Sequence, residues 1–217
     1  MPTPELSPAA ARVLAVLVEK EKTVPDSYPL SLNALQTGCN QKTSRDPVMD
    51  LSEADVLGAL DEMRSDVWVV ANSGNRVTRY SHNMARVLGI GTPAVALLAT
   101  LILRGPQTAA ELRANSERLY RFADVSSVEA YLEELSQRAA GALTLLLPRA
   151  PGAREARWAH LLCGEVSLPS HDSTRAEPAG SLAQRVAALE GDVATLRAEL
   201  AQLSAELLAL RSNSTAE

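Results

Sequence analysis

The order helix–helix–helix–hairpin is written twice along this 217-residue chain, and few folds accept that order twice. The first copy opens Ser7-Pro8-Ala9 and continues through Val13, Leu14 and Leu17; the second opens Thr92-Pro93-Ala94 and continues through Leu98, Leu101 and Ile102. Each sets a hydroxyl residue before proline, the signature of an N-cap followed by Pro at the first helical position, and then apolar residues at helical spacing. A third helix is announced by Ser52…Val56…Leu60-Asp61-Glu62-Met63 and echoed by Asp124…Val128…Leu132-Glu133-Glu134-Leu135. Each copy closes on two short β-prone runs around a turn, 67–71 with 76–80 and 143–147 with 157–162. Three helices and a two-stranded wing are the parts of a winged helix. The predicted fold is therefore mainly α with small β-hairpins (α+β): winged-helix domains at 1–90 and 91–165, a flexible linker at 166–180 and a coiled-coil helix at 181–211.

The copies are unequal. Their first helices open 85 residues apart and their third helices only 72 apart, so the first copy holds 13 more residues between these helices. The extra length covers Pro25 and Pro29, which keep the chain extended by disfavouring helix in the residue before each, and a polar loop at 39–47. Between them lies a predicted second helix at 31–39, capped by Ser31 and buried through Leu32 and Leu35. The loop gathers Asn40, Gln41, Lys42, Thr43, Ser44, Arg45 and Asp46 without an apolar side chain. Two readings stay open for it: a surface for a partner, or a brace that satisfies backbone groups.

Several strings resemble the YceH-like proteins of bacteria: Tyr28-Pro29-Leu30-Ser31-Leu32-Asn33-Ala34-Leu35, the run from Cys39 through Asn40-Gln41-Lys42-Thr43-Ser44-Arg45-Asp46-Pro47-Val48 to Met49, Gly74-Asn75-Arg76-Val77-Thr78-Arg79-Tyr80, and Leu103-Arg104-Gly105-Pro106-Gln107-Thr108. The likeness spans about residues 5–163. What it implies is a tandem winged-helix fold in a cytoplasmic bacterial protein; it brings no catalytic or binding residues with it.

Charge decides between the uses of such a scaffold. The net charge is −5, and no segment is strongly basic, which argues against a dedicated non-specific nucleic-acid binder. In a helix-turn-helix reader the third helix enters the major groove. Here 52–65 carries Glu53, Asp55, Asp61 and Glu62 against Arg64, and 124–138 carries Asp124, Glu129, Glu133 and Glu134 against Arg138. Carboxylates facing a phosphate-lined groove are repelled, although acids in a first turn also suit any helix dipole. The wings differ, with Arg76 and Arg79 in the first and Arg149, Arg154 and Arg157 in the second; Arg113, Arg118 and Arg121 add charge on the second helix of the second copy. The candidate residues for partner or nucleic-acid contact are thus Lys42, Arg45, Arg76, Arg79, Arg154 and Arg157, the alternative being solvated faces.

Signals for catalysis are weak. His82, His160 and His171 lie apart, Cys39 and Cys163 form no CxxC, and no HExxH, GxSxG or phosphate-cradling glycine loop occurs. A non-enzymatic protein without metal or cofactor is expected. The opening residues are polar, and the longest apolar stretch, 94–103, is far shorter than the ~20 residues of a membrane span; a soluble cytoplasmic protein without membrane contact is expected.

The tail carries Leu182, Val186, Leu189, Val193, Leu196, Leu200, Leu203, Leu207 and Leu210, at alternating spacings of four and three. Valine at two a positions with leucine at every d favours a two-stranded parallel coil. In that register Arg185 meets Glu190, Asp192 meets Arg197 and Glu206 meets Arg211 across the pair. The expectation is a homodimer through the coil that engages an unidentified protein partner, with a transcriptional regulator touching DNA through basic wings as the alternative.

Overall fold

A computed structural model describes residues 5–73, 77–164 and 166, all within one unit, Met1–Val166. Both repeats have the expected order. In the first, α1 (Pro8–Thr23) is capped by Ser7, whose hydroxyl accepts from the Ala10 N–H at 3.1 Å. A 3₁₀ turn (Pro25–Ser27) and the two-residue strand β1 (Leu30–Ser31) lead to α2 (Leu32–Cys39), capped by Ser31. Then come α3 (Glu53–Glu62), β2 (Val69–Ser73) and β3 (Thr78–His82). A short α4 (Met84–Leu88), closed by Gly89 at φ 62°, connects the repeats. The second repeat runs α5 (Thr92–Arg104), α6 (Ala109–Ser116), α7 (Val125–Ser136), β4 (Thr144–Leu146) and β5 (Trp158–His160).

The first sheet is antiparallel in the order β1-β3-β2, with Leu30 opposite Tyr80 and Val69 opposite His82. Pro29 keeps the chain extended, which lets Leu30 and Ser31 add to the free edge of β3. The second repeat reproduces this with one bridge, Gln107 to Trp158, beside the β4–β5 hairpin. Neither β1 nor α4 was expected: each is too short to show a period.

One start signal is corrected. Thr92 does not cap the second copy; the N-cap is Gly91, whose carbonyl accepts from the Val95 N–H at 3.1 Å, and Thr92 lies within the helix. The third helices are also shorter than expected, ending at Glu62 and Ser136.

The first helices of the two repeats pack along each other. Helix α5 is apolar on all sides because it serves two cores. Val95, Leu98, Ala99 and Ile102 join a cluster with Val13, Leu14, Leu17, Leu35 and Trp68 of the first repeat. Leu97 and Leu101 join Leu112, Phe122, Leu132 and Trp158 of the second. A helix buried all round has no polar face, and the hydrophobic interior runs unbroken across the junction of the repeats.

Candidate interaction surfaces

The third helices owe part of their acidity to their own construction. Ser52 caps α3 and Asp55 closes a capping box, accepting from the Ser52 N–H at 2.8 Å and its hydroxyl at 2.6 Å. These bonds hold the Asp55 carboxyl below the ordinary carboxylate range. Glu62 accepts from the N–H and hydroxyl of Ser7 at 2.8 and 2.6 Å, at the positive end of α1. In α7, Asp124 is the N-cap and accepts from the Ser127 N–H at 2.7 Å. What remains outward on α3 is Glu53, Ala54, Leu57, Gly58 and Asp61, and on α7 Ser126, Glu129, Ala130, Glu133 and Glu134. The cation near α3, Arg64, is paired with Asp61 at 3.3 Å. Both faces therefore present carboxylates beside small or apolar side chains, and Leu57 is 39% exposed.

The wing arginines are used differently from what a list of cations suggests. Arg79 donates to the Pro29 carbonyl at 2.8 Å and the Ser27 carbonyl at 3.4 Å. Arg157 donates to the Pro106 carbonyl at 2.8 Å and pairs with Glu111 at 2.9 Å. The same brace is thus built twice: a wing arginine clasps the extended segment ahead of the second helix. Glu111 lies below its ordinary range chiefly through its bond to the Thr108 backbone; burial opposes this, and the charge and hydrogen bond of Arg157 add to the lowering. Arg76 lies outside the described residues. Arg154 and Lys42 are exposed and form no ion pair among the described residues. Of the arginines expected on the second helix of the second repeat, Arg113 lies on α6 and bonds the Ala123 carbonyl at 3.1 Å, while Arg118 and Arg121 follow the helix.

In loop 39–47 the structure corrects the partner-surface expectation for Arg45. Its residue is 6% exposed, and its guanidinium is bonded to the Glu19 carboxylate at 2.6 Å, the Gly38 carbonyl at 3.0 Å and Gln41 Oε1 at 2.7 Å. Arg12, buried within α1, donates to the Cys39 and Pro47 carbonyls at 3.2 and 2.7 Å. Asn40 exchanges two 2.8 Å bonds with the Leu51 backbone. The loop also reaches the second repeat: the Asp46 N–H donates to the Leu103 carbonyl at 2.8 Å, and Arg104 donates to Ser44 Oγ at 2.7 Å. A loop without apolar side chains is here organised by two buried guanidiniums, which makes it a brace between repeats. Arg12 is the bracing side chain that sequence reasoning missed; its signal was a lone charge inside an apolar run.

Cys39 is fully buried, and burial pushes its thiol up to about 12 despite the opposing pull of Arg12 and Arg45. Among the described residues no three His, Cys, Asp or Glu side chains come together as metal ligands, and no helix is long and apolar enough to cross a membrane. The heptad positions Leu182, Val186, Leu189, Val193, Leu196, Leu200, Leu203, Leu207 and Leu210 lie outside the described residues.

The family model described as "Protein of unknown function, DUF480" matches residues 6–153. The chain is similar to a UPF0502 protein of Leptothrix cholodnii, 61% identical over 189 residues, which is 86% of this chain and 85% of that one. It is 56% identical over 199 residues to a UPF0502 protein of Acidovorax sp. (strain JS42), covering 88% of each. A UPF0502 protein of Burkholderia orbicola is 61% identical over 179 residues, covering 81% of this chain and 75% of the relative. These matches agree with the resemblance to the YceH-like proteins carried by the 39–49 string.

Proposed function

Because the chain belongs to the DUF480 family of proteins of unknown function, we propose its role from its surfaces: a non-enzymatic interaction module that grips a protein through its third helices. The observation that carries this reading is the outward face of α3 and α7. In this scaffold that face would enter the major groove, yet here it offers Glu53, Asp61, Glu129, Glu133 and Glu134 beside Ala54, Leu57 and Ala130. Against phosphates such a face is repulsive; against a protein with basic and apolar groups it is complementary. The heptad at 182–210 supports a dimer, which would present two copies of these faces to one partner and raise avidity. Light scattering of the full chain tests that part, and a monomer mass would remove it.

The competing reading, a regulator touching DNA through its wings, is supported by the exposed Arg154 and Lys42. Arg79 and Arg157 support it less, since both are bound within their own repeat. A photo-crosslinking residue placed in turn at Leu57, Glu133 and Arg154 in living bacteria separates the two. The interaction reading expects nuclease-resistant, protease-sensitive adducts from Leu57 and Glu133. Nuclease-sensitive adducts from Arg154, with none from the helices, would replace it by the regulator.

A further inference from the structure

A cavity of 340 Å³ opens where the two repeats meet, walled by α1, α4, α5 and the end of β3. Val18, Val95 and Leu119 supply apolar wall, and Lys22, His82 and Arg86 supply polar groups. This is the composition of a small-molecule site, mostly apolar with a few placed polar groups and within the usual range of about 300–1,000 Å³. Neither the helix faces nor the braces described above use it.

His82 is the unusual member. Its side chain is 9% exposed. Both ring nitrogens are buried without a hydrogen-bond partner among the described residues, although the Glu21 carboxylate lies 3.4 Å from Nε2. The ring is held in place: Tyr28 stands edge-on at 6.4 Å, and its hydroxyl accepts from the His82 N–H at 2.8 Å. Burial lowers the imidazole from its ordinary range against the opposing charge of Glu21, so the neutral ring offers one donor and one acceptor. Buried polar groups are normally bonded; one that lines a cavity can bond what enters it.

The charges fix the sign of the guest. Glu21 pairs with Lys22 at 2.8 Å, so these two cancel. Arg86 is exposed and forms no ion pair among the described residues, which leaves the rim with one surplus positive charge. We propose that this cavity binds a small monocarboxylic acid with an aryl or short alkyl body, the body against Val18, Val95 and Leu119 and the carboxylate at Arg86 and His82. A guanidinium matches a carboxylate in bidentate geometry, and a single surplus cation over apolar walls suits a monoanion better than a multiply charged phosphate.

The test is an NMR titration of the isotopically labelled full chain with benzoate, with hexanoate and with benzamide as the neutral counterpart of benzoate. At least one acid should saturate with a Kd near or below about 1 mM, shifting the amides of Val95, Ala96 and Ala85. Benzamide should bind about tenfold more weakly, as should the acid to Arg86→Ala, a surface change that leaves the fold intact. His82→Phe keeps the aromatic stack and should weaken binding as well. Absence of saturation by both acids up to about 10 mM would overturn the proposal. So would equal affinity for benzamide, or binding unchanged in Arg86→Ala.

Discussion

Arg45 takes its charge inside, where its guanidinium joins Glu19 to the carbonyl of Gly38. Losing one partner of such a pair leaves buried polar groups unmatched. Arg45→Ala should therefore cost about 3 kcal/mol, a drop on the order of 10 °C in melting temperature. Lys42→Ala, three residues away and exposed, should stay within about 0.5 kcal/mol. Thermal denaturation followed by circular dichroism reads both, and near-unchanged melting in Arg45→Ala would return the loop to the surface. In sequence these two cations look alike, and only the register of the loop against α1 tells them apart, so this part of the site was not legible. His160 gives a pH prediction. Burial lowers its imidazole to about 4 from an ordinary value of 6.5. The unfolded chain takes up that proton first on acidification, so the stability contributed is fully present above pH 6.5 and is lost as pH falls toward 4. Burial acts on His82 in the same direction. Stability should thus fall between these limits by about 3 kcal/mol for His160, and His160→Gln should flatten that part of the melting-temperature profile. An unchanged slope would contradict the assignment.

At the scale of elements, two helical glycines predict opposite outcomes for one substitution. A Cβ on Gly38 in α2 would come within 2.7 Å of Val16 Cγ1 on α1, a side chain with no room to retreat. A Cβ on Gly58 in α3 meets nothing within 4 Å. Gly38→Ala should cost about 1–2 kcal/mol through overpacking, whereas Gly58→Ala should gain up to about 1 kcal/mol from helix propensity. Chemical denaturation of the two variants checks the signs, and a stabilised Gly38→Ala would mean that α1 and α2 pack less closely than described. Elements with a strong period and a polar cap were readable: Ser7, Ser31 and Ser52 cap the helices expected of them, while Asp124, read as the first residue of its helix, is the N-cap of α7. The elements missed, β1 and α4, are each too short to show a period, and at α5 only the cap was misread. Strand β1 exists because β3 offers it an edge, and α5 begins at a glycine cap that carries no side-chain signal.

For the whole molecule, the two repeats share one interior through α1 and α5, and they should unfold together. The chain holds one tryptophan in each repeat, Trp68 and Trp158, both buried. Fluorescence of Trp158→Phe therefore reports the first repeat and that of Trp68→Phe the second. Once each variant's own stability change is allowed for, the midpoint of its fluorescence should coincide with that of its circular dichroism. Separated midpoints would mean independent domains. The third helix reads DNA in this scaffold, and the proposal that it meets protein here instead makes the sharpest prediction. Fluorescence anisotropy of a labelled random-sequence duplex, titrated with the full chain at about 50 mM salt, tests it most directly, because non-specific binders there reach Kd values of about 10⁻⁴–10⁻⁶ M or tighter. No saturable rise is expected up to about 100 µM chain. Binding that weakens steeply with salt and is lost in Arg154→Ala would contradict it.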